Sequence, residues 1–243
     1  MSAAAAHGRG LLAAALARAG AWLIEPAEPR PLQDEPAPAP AAFRMIVSVF
    51  GLACGCGATT VARALGAALG ARDGAGAAAV ASPGHGGGLP LALPAASRLA
   101  RTLAELPGAR TRAVGRLCLV EGAEELALAD TTRFHAPLVI DAGSAEVGGV
   151  TASIADHVLL VAEPGLEPAL ADVVAGCLAR VGPEPLVILN RASEEEEERW
   201  AARAHLVLPE SRMGAQLALA GREPHGVLGL AVAQLADRCQ AGR

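Results

Sequence analysis

The chain has 243 residues, a formal charge of −5 and 52% hydrophobic residues, enough for one α/β domain of ordinary size with a large core plus a tail. Aromatic residues make up only 2% and tyrosine is absent, which is poor material for base stacking, and the negative charge gives no basic footprint for nucleic acid or anionic membranes. The five cysteines, at 54, 56, 118, 177 and 239, show no paired framework, so free thiols in a reducing cytoplasm are expected.

Residues 1–24 read as a tail or short helix. Leu11–Ile24 is apolar, with Leu12, Leu16 and Leu23 as anchors, but Arg18 interrupts it and no clear cleavage site follows, so neither a signal peptide nor a membrane span is expected. Residues 25–44 are proline-rich and polar and read as a semi-rigid linker. From residue 45 to about 240, short apolar runs alternate with helical stretches. The strands are expected at 45–50, 77–81, 115–120, 137–141, 157–162, 185–190 and 205–208. The helices are expected at 58–71, 95–106, 122–134, 166–180, 194–204, 212–221 and 227–239. Continuous apolar runs are the mark of strands buried on both faces. The pattern therefore predicts a three-layer, doubly wound α/β fold with a mostly parallel sheet of about seven strands. Ser193 and Glu196 form a capping-box pattern, and the run Glu194–Glu198 reads as a solvated helix start favoured by the helix dipole. The last helix carries the apolar stripe Leu228, Val232, Leu235 and Cys239 with few cations nearby, which predicts core packing rather than a membrane anchor.

The chemistry concentrates after the first strand. Met45–Phe50 is followed by Gly51-Leu52-Ala53-Cys54-Gly55-Cys56-Gly57-Ala58-Thr59-Thr60 and then a helix. A strand, a glycine-rich loop, paired threonines and a helix are the layout of a phosphate-binding P-loop, in which backbone N–H groups and the helix N-terminus hold phosphates. Thr59 stands where a magnesium-binding hydroxyl belongs. Asp141, ending Leu138-Val139-Ile140-Asp141, has the form of a Walker-B carboxylate, with Gly143 two residues on. The lysine position holds Ala58. No lysine exists elsewhere, because all 20 basic residues are arginine. Together with the abundant alanine, glycine and proline, this suggests a GC-rich genome. Arginine was available at position 58 and was not used.

Ala53–Thr60 resembles the deviant Walker A (KGGxGKTT) of the MinD/ParA group of P-loop ATPases. Asp156–Pro164 is similar to that family's "D-x-v-l-l-V-t-e-p" strand, and Leu186–Arg191 to its "v-v-l-N-r" strand. Leu208-Pro209-Glu210 and Gly221-Arg222-Glu223-Pro224 are similar to its closing segments, so the likeness covers residues 45 to 240. The resemblance implies ATP or ADP with magnesium as cofactor, held by Gly55, Cys56, Gly57, Ala58, Thr59 and Thr60. It implies Asn190 against adenine, Thr59 and Asp141 at magnesium, and a homodimer or another protein as partner. Three charged participants of the family pattern are missing. Ala53 and Ala58 replace both lysines, and Val80-Ala81-Ser82-Pro83 lacks the aspartate that positions water. Each lost charge-assisted contact weakens binding by roughly 1.5–3 kcal/mol. Each lost electrostatic donor slows turnover about 10²–10³-fold.

These departures predict a degenerate nucleotide site, with binding weak or lost, on a non-hydrolysing positioning or scaffold protein. The related CpaE/TadZ proteins of pilus assembly, which also have irregular nucleotide loops, are one setting. The alternatives are an active ATPase using an arginine or a partner residue in place of lysine, or a biosynthetic enzyme of the same fold. Arg63, one turn after Thr59, is expected on the solvated helix face. Cys54 and Cys56 read as small loop fillers, Gly84–Gly88 as a flexible loop, and His135 and His157 as belonging to no catalytic or metal set.

Overall fold

A computed structural model describes residues 45–72, 76–82, 110–121, 136–145 and 149–241, all within one compact unit spanning residues 42–243. The expected tail and linker, the helices at 95–106 and 122–134, the Gly84–Gly88 loop and His135 lie outside the described residues.

Eight strands form one sheet: β1 (Ile46–Gly51), β2 (Ala78–Ser82), β3 (Arg110–Val114), β4 (Leu117–Glu121), β5 (Leu138–Ser144), β6 (His157–Ala162), β7 (Leu186–Asn190) and β8 (Leu206–Leu208). Their order is β3-β4-β2-β5-β1-β6-β7-β8, and every neighbouring pair is parallel except β3 with β4. Six helices are described: α1 (Ala58–Arg72), α2 (Gly149–Ser153), α3 (Pro168–Leu178), α4 (Glu194–Trp200), α5 (Arg212–Leu219) and α6 (Gly226–Ala241).

The seven expected strands are present, and β3 is an addition. Two arginines in Arg110-Thr111-Arg112-Ala113-Val114 hide it from a search for apolar runs. It is an antiparallel edge strand, exposed or half-buried throughout, joined to β4 by a tight turn at Gly115-Arg116. Three helices are shorter than expected: α3 covers 168–178 rather than 166–180, α4 ends at Trp200 rather than 204, and α5 ends at Leu219 rather than 221.

The central strands are buried along their length, so their apolar runs are explained by helices on both faces. One face belongs to α1. A Cβ at Gly66 of α1 would come within 2.8 Å of Val80, 3.1 Å of Leu117 and 3.8 Å of Val139, so the helix seats here because a glycine lets it approach. Side-chain alternation puts Ser48 on the opposite face, where its hydroxyl donates to the Thr151 carbonyl of α2 at 2.7 Å. Asp156 ties the start of β6 to β1 by accepting the Ile46 N–H at 2.7 Å. In α6, Leu228, Val232, Leu235 and Cys239 are all buried, so this helix closes the core. Among the described residues no helix is long and apolar enough to cross a membrane.

Candidate functional site

The P-loop leaves the carboxyl end of β1, the strand whose neighbours β5 and β6 bring its site residues together. Gly51 and Leu52 still belong to the sheet: the Gly51 carbonyl accepts the Ala145 N–H at 3.0 Å, and Leu52 N–H donates to the Val161 carbonyl at 2.7 Å. A tight turn follows. Cys56 N–H donates to the Ala53 carbonyl at 3.4 Å, and the Cys56 sulfur accepts the Ala53 N–H at 3.2 Å. The Cys56 thiol is buried, and its desolvation raises its pKa above the ordinary value despite the Ala53 hydrogen bond. It is a structural filler of the turn. Cys54 is exposed, and among the described residues no group of three or more histidine, cysteine or acidic side chains gathers to hold a metal.

Gly57 is the pivot into α1. Its φ is +89°, and a Cβ there would stand 2.4 Å from Asn190 Nδ2. Only glycine satisfies both conditions. The helix begins with Val61 N–H donating to the Gly57 carbonyl at 3.0 Å. The amides of Ala58, Thr59 and Thr60 belong to the first turn, which has no intrahelical acceptors, and they face the positive end of the helix dipole.

Two strands beside the loop complete the arrangement. On one side, the β1–β5 register shifts so that Asp141 lies opposite Val49 and Gly143 opposite Phe50, leaving Ala142 as a bulge. Asp141 shares the face of Val139 and so points toward α1. Its Oδ2 accepts the Thr59 hydroxyl proton at 2.7 Å. A hydroxyl that donates to a carboxylate keeps its lone pairs free for a cation. The other carboxylate oxygen, Oδ1, is buried without a hydrogen-bond partner, an arrangement that suits a cation or its bound water.

On the other side, Asn190 and Arg191 end β7. Asn190 is buried and its amide donates to the Cys56 carbonyl at 2.9 Å. Arg191 donates through one guanidinium nitrogen to the Gly55 carbonyl at 3.0 Å and to Glu163 Oε2 at 2.7 Å. Beyond them opens a cleft of about 250 Å³, lined by Gly57, Thr60, Asn190, Arg191, Pro209 and Leu228 among others.

The structure thus brings together Gly55, Cys56, Gly57, Ala58, Thr59, Thr60, Asp141 and Asn190 at one end of the sheet. Ala58 is buried, its Cβ packed toward Gly51, and offers the loop no charge. Arg63 departs from the sequence expectation. It is half-buried rather than solvated, donating to the Leu219 carbonyl at the C-terminus of α5 at 3.3 Å. Desolvation lowers its pKa, Arg112 adds to this, and Asp141 and Glu121 oppose it. Glu163 and Arg191 were given no role by sequence reasoning. Their positions directly after β6 and β7, at the carboxyl edge where open α/β sheets bind ligands, were the available signal.

A parallel sheet with a P-loop after β1 and a Thr–Asp pair across β5 defines a P-loop NTPase-like protein. The solved structures narrow this: the chain has the MinD/ParA-like fold. It is similar to a ParA family ATPase from Chlorobium tepidum (16% identity, TM-score 0.54, covering 80% of this chain and 99% of that one). It is also similar to a chain of the MinC:MinD cell division protein complex of Aquifex aeolicus (17%, 0.56, 81% and 96%). A third match is cobyrinic acid a,c-diamide synthase from Mycobacterium smegmatis, solved with a bound ATP analog and magnesium (14%, 0.51, 83% and 98%). At these identities the likeness establishes the fold. No protein-family model matches the sequence, and no curated protein matches it.

Proposed function

We propose that this chain is a MinD/ParA-like P-loop protein with a degenerate nucleotide site, acting as a non-hydrolysing positioning or scaffold protein in cell division, partitioning or pilus assembly. The observation that carries this reading is the Thr59–Asp141 hydrogen bond at the mouth of a glycine-pivoted loop in which Ala53 and Ala58 occupy the two lysine positions. The cradle is kept and its charges are not. ATP or ADP would place its phosphates against the amides of residues 57–60 and its nucleoside in the cleft beside Asn190. Magnesium would be held by Thr59 and Asp141, where it neutralises phosphate charge. Affinity is expected to be weak, because a dipole and amides replace charge-assisted contacts worth roughly 1.5–3 kcal/mol each.

A protein partner or a second copy is the proposed readout. Leu170, Val173 and Val181 stand exposed along and just after α3 (42%, 64% and 47%), and a helix so apolar on its outer side suits a protein contact. The MinC:MinD structure shows one fold relative in such a complex.

The second reading, an active ATPase using an arginine or a partner residue in place of lysine, is favoured by the Arg191 guanidinium beside the loop. Titration with ATP and magnesium, followed by a phosphate-release assay, separates the two. Weak binding with background turnover supports the first. Steady turnover that Asp141→Ala abolishes supports the second.

A further inference from the structure

We propose that Arg191 is the phosphate-facing cation of this site, held by Glu163 and the Gly55 carbonyl until the anionic tail of a nucleotide takes it over. The inference rests on the cleft being a nucleotide site, as proposed above, and names the residue that supplies its missing charge.

Three observations converge on it. Arg191 is the one non-glycine residue with positive φ among those described, at 62°. That conformation is disfavoured for an arginine and persists only where its surroundings impose it. Here the Arg191 N–H donates to the Leu208 carbonyl at 2.8 Å, which fixes the backbone while the guanidinium crosses to the loop. Second, the guanidinium lies where the cleft meets the loop, because Arg191 lines the cleft with Gly57 and Thr60 and also bonds Gly55. A nucleoside in the cleft sends its phosphates past this point. Third, the present partners are weak ones. The Glu163 and Arg191 side chains are 35% and 45% exposed, and ion pairs this open are nearly balanced by solvation. A phosphate carries more charge than Glu163 and matches the planar fork of a guanidinium. Arg63 does not compete for the role, since its guanidinium is engaged at the end of α5.

Charge competition predicts effects of opposite sign, which a purely structural clamp does not. Binding of ADP and of inorganic tripolyphosphate to the full chain is measured by titration calorimetry. Arg191→Gln is expected to weaken both by about tenfold or more, the loss of one charge-assisted contact. Glu163→Gln is expected to tighten both several-fold, because the guanidinium is released from its anionic competitor. Arg191→Gly, which relieves the backbone conformation, is expected to keep or raise Tm while binding as weakly as Arg191→Gln. The gap between wild type and Arg191→Gln is expected to shrink with added salt. Wild-type affinity in Arg191→Gln, or a parallel loss in Glu163→Gln, overturns the proposal and leaves the nucleotide reading intact. Failure of the wild type to bind ADP at all overturns both.

Discussion

On its β5 side the start of α1 meets the sheet through one side-chain hydrogen bond, Thr59 to Asp141, beside a carboxylate oxygen left without a partner. On its β7 side the sheet reaches over and grips the loop by its own carbonyls, Asn190 on Cys56 and Arg191 on Gly55. The first side pairs a hydroxyl with a carboxylate, the set proposed above for magnesium, and the second has the only guanidinium bonded to the loop among the described residues. What separates them is Ala58, where the lysine that would join cation to cradle is absent. The comparison teaches that the shape of a phosphate loop and its charge are separable. Glycine torsions and first-turn amides set the shape, and they survive without any charge in the loop itself.

The largest expected effect comes from breaking the shape. Gly57→Ala forces a side chain onto φ +89° and against Asn190. Such backbone strain costs roughly 1–3 kcal/mol, and the Asn190–Cys56 hydrogen bond is lost with it. Chemical denaturation is expected to show that loss of stability, together with no measurable nucleotide binding. An unchanged midpoint would mean the two sides are not held in register through Gly57. Next comes the β5 side. Asp141→Asn is expected to lower ATP affinity about tenfold with magnesium and to leave affinity in chelator unchanged, as measured by paired titrations. Equal losses in both would assign Asp141 a structural role only. Restoring charge is the converse. Ala58→Lys is expected to strengthen ATP binding by about tenfold or more, the value of a recovered charge-assisted contact. No gain would mean that the packing of residue 58 toward Gly51 keeps the ammonium from the phosphate.

Away from the loop, the core makes a smaller and independent prediction. Burial pushes the Cys118 and Cys239 thiols up from an ordinary 9.0 to about 11 and about 12. The unfolded chain then ionises these thiols at a lower pH than the folded one. Their contribution to stability is intact below about pH 9 and is lost as pH rises from there toward the folded values. Denaturation midpoints of the reduced protein are expected to fall between pH 8 and pH 10 (about two units around the ordinary thiol value), and to fall less in Cys239→Ala. A flat profile would contradict the buried, unpartnered state of these thiols.

The fold was largely legible because buried parallel strands write themselves as continuous apolar runs, and seven of them stood out. β3 did not, since an edge strand open to solvent tolerates Arg110 and Arg112 and has no apolar signature. The loop, Thr59 and Asp141 were legible because backbone geometry demands glycines and strand ends at fixed places, and Asn190 through the likeness of Leu186–Arg191 to a family strand. Arg191 and Glu163 were not. Their role depends on β6 and β7 lying side by side and on one unusual φ, and neither is a property of local sequence. Arg63 misled for the same reason. Helix periodicity gives its position on α1 but not the arrival of the α5 C-terminus beside it.

The most direct test of a cradle that binds without turning over is to measure ATP binding and phosphate release on the same wild-type sample, with Asp141→Ala alongside. Magnesium-dependent but weak binding with phosphate release no faster than in Asp141→Ala is the predicted result. Steady release that disappears in Asp141→Ala would contradict it.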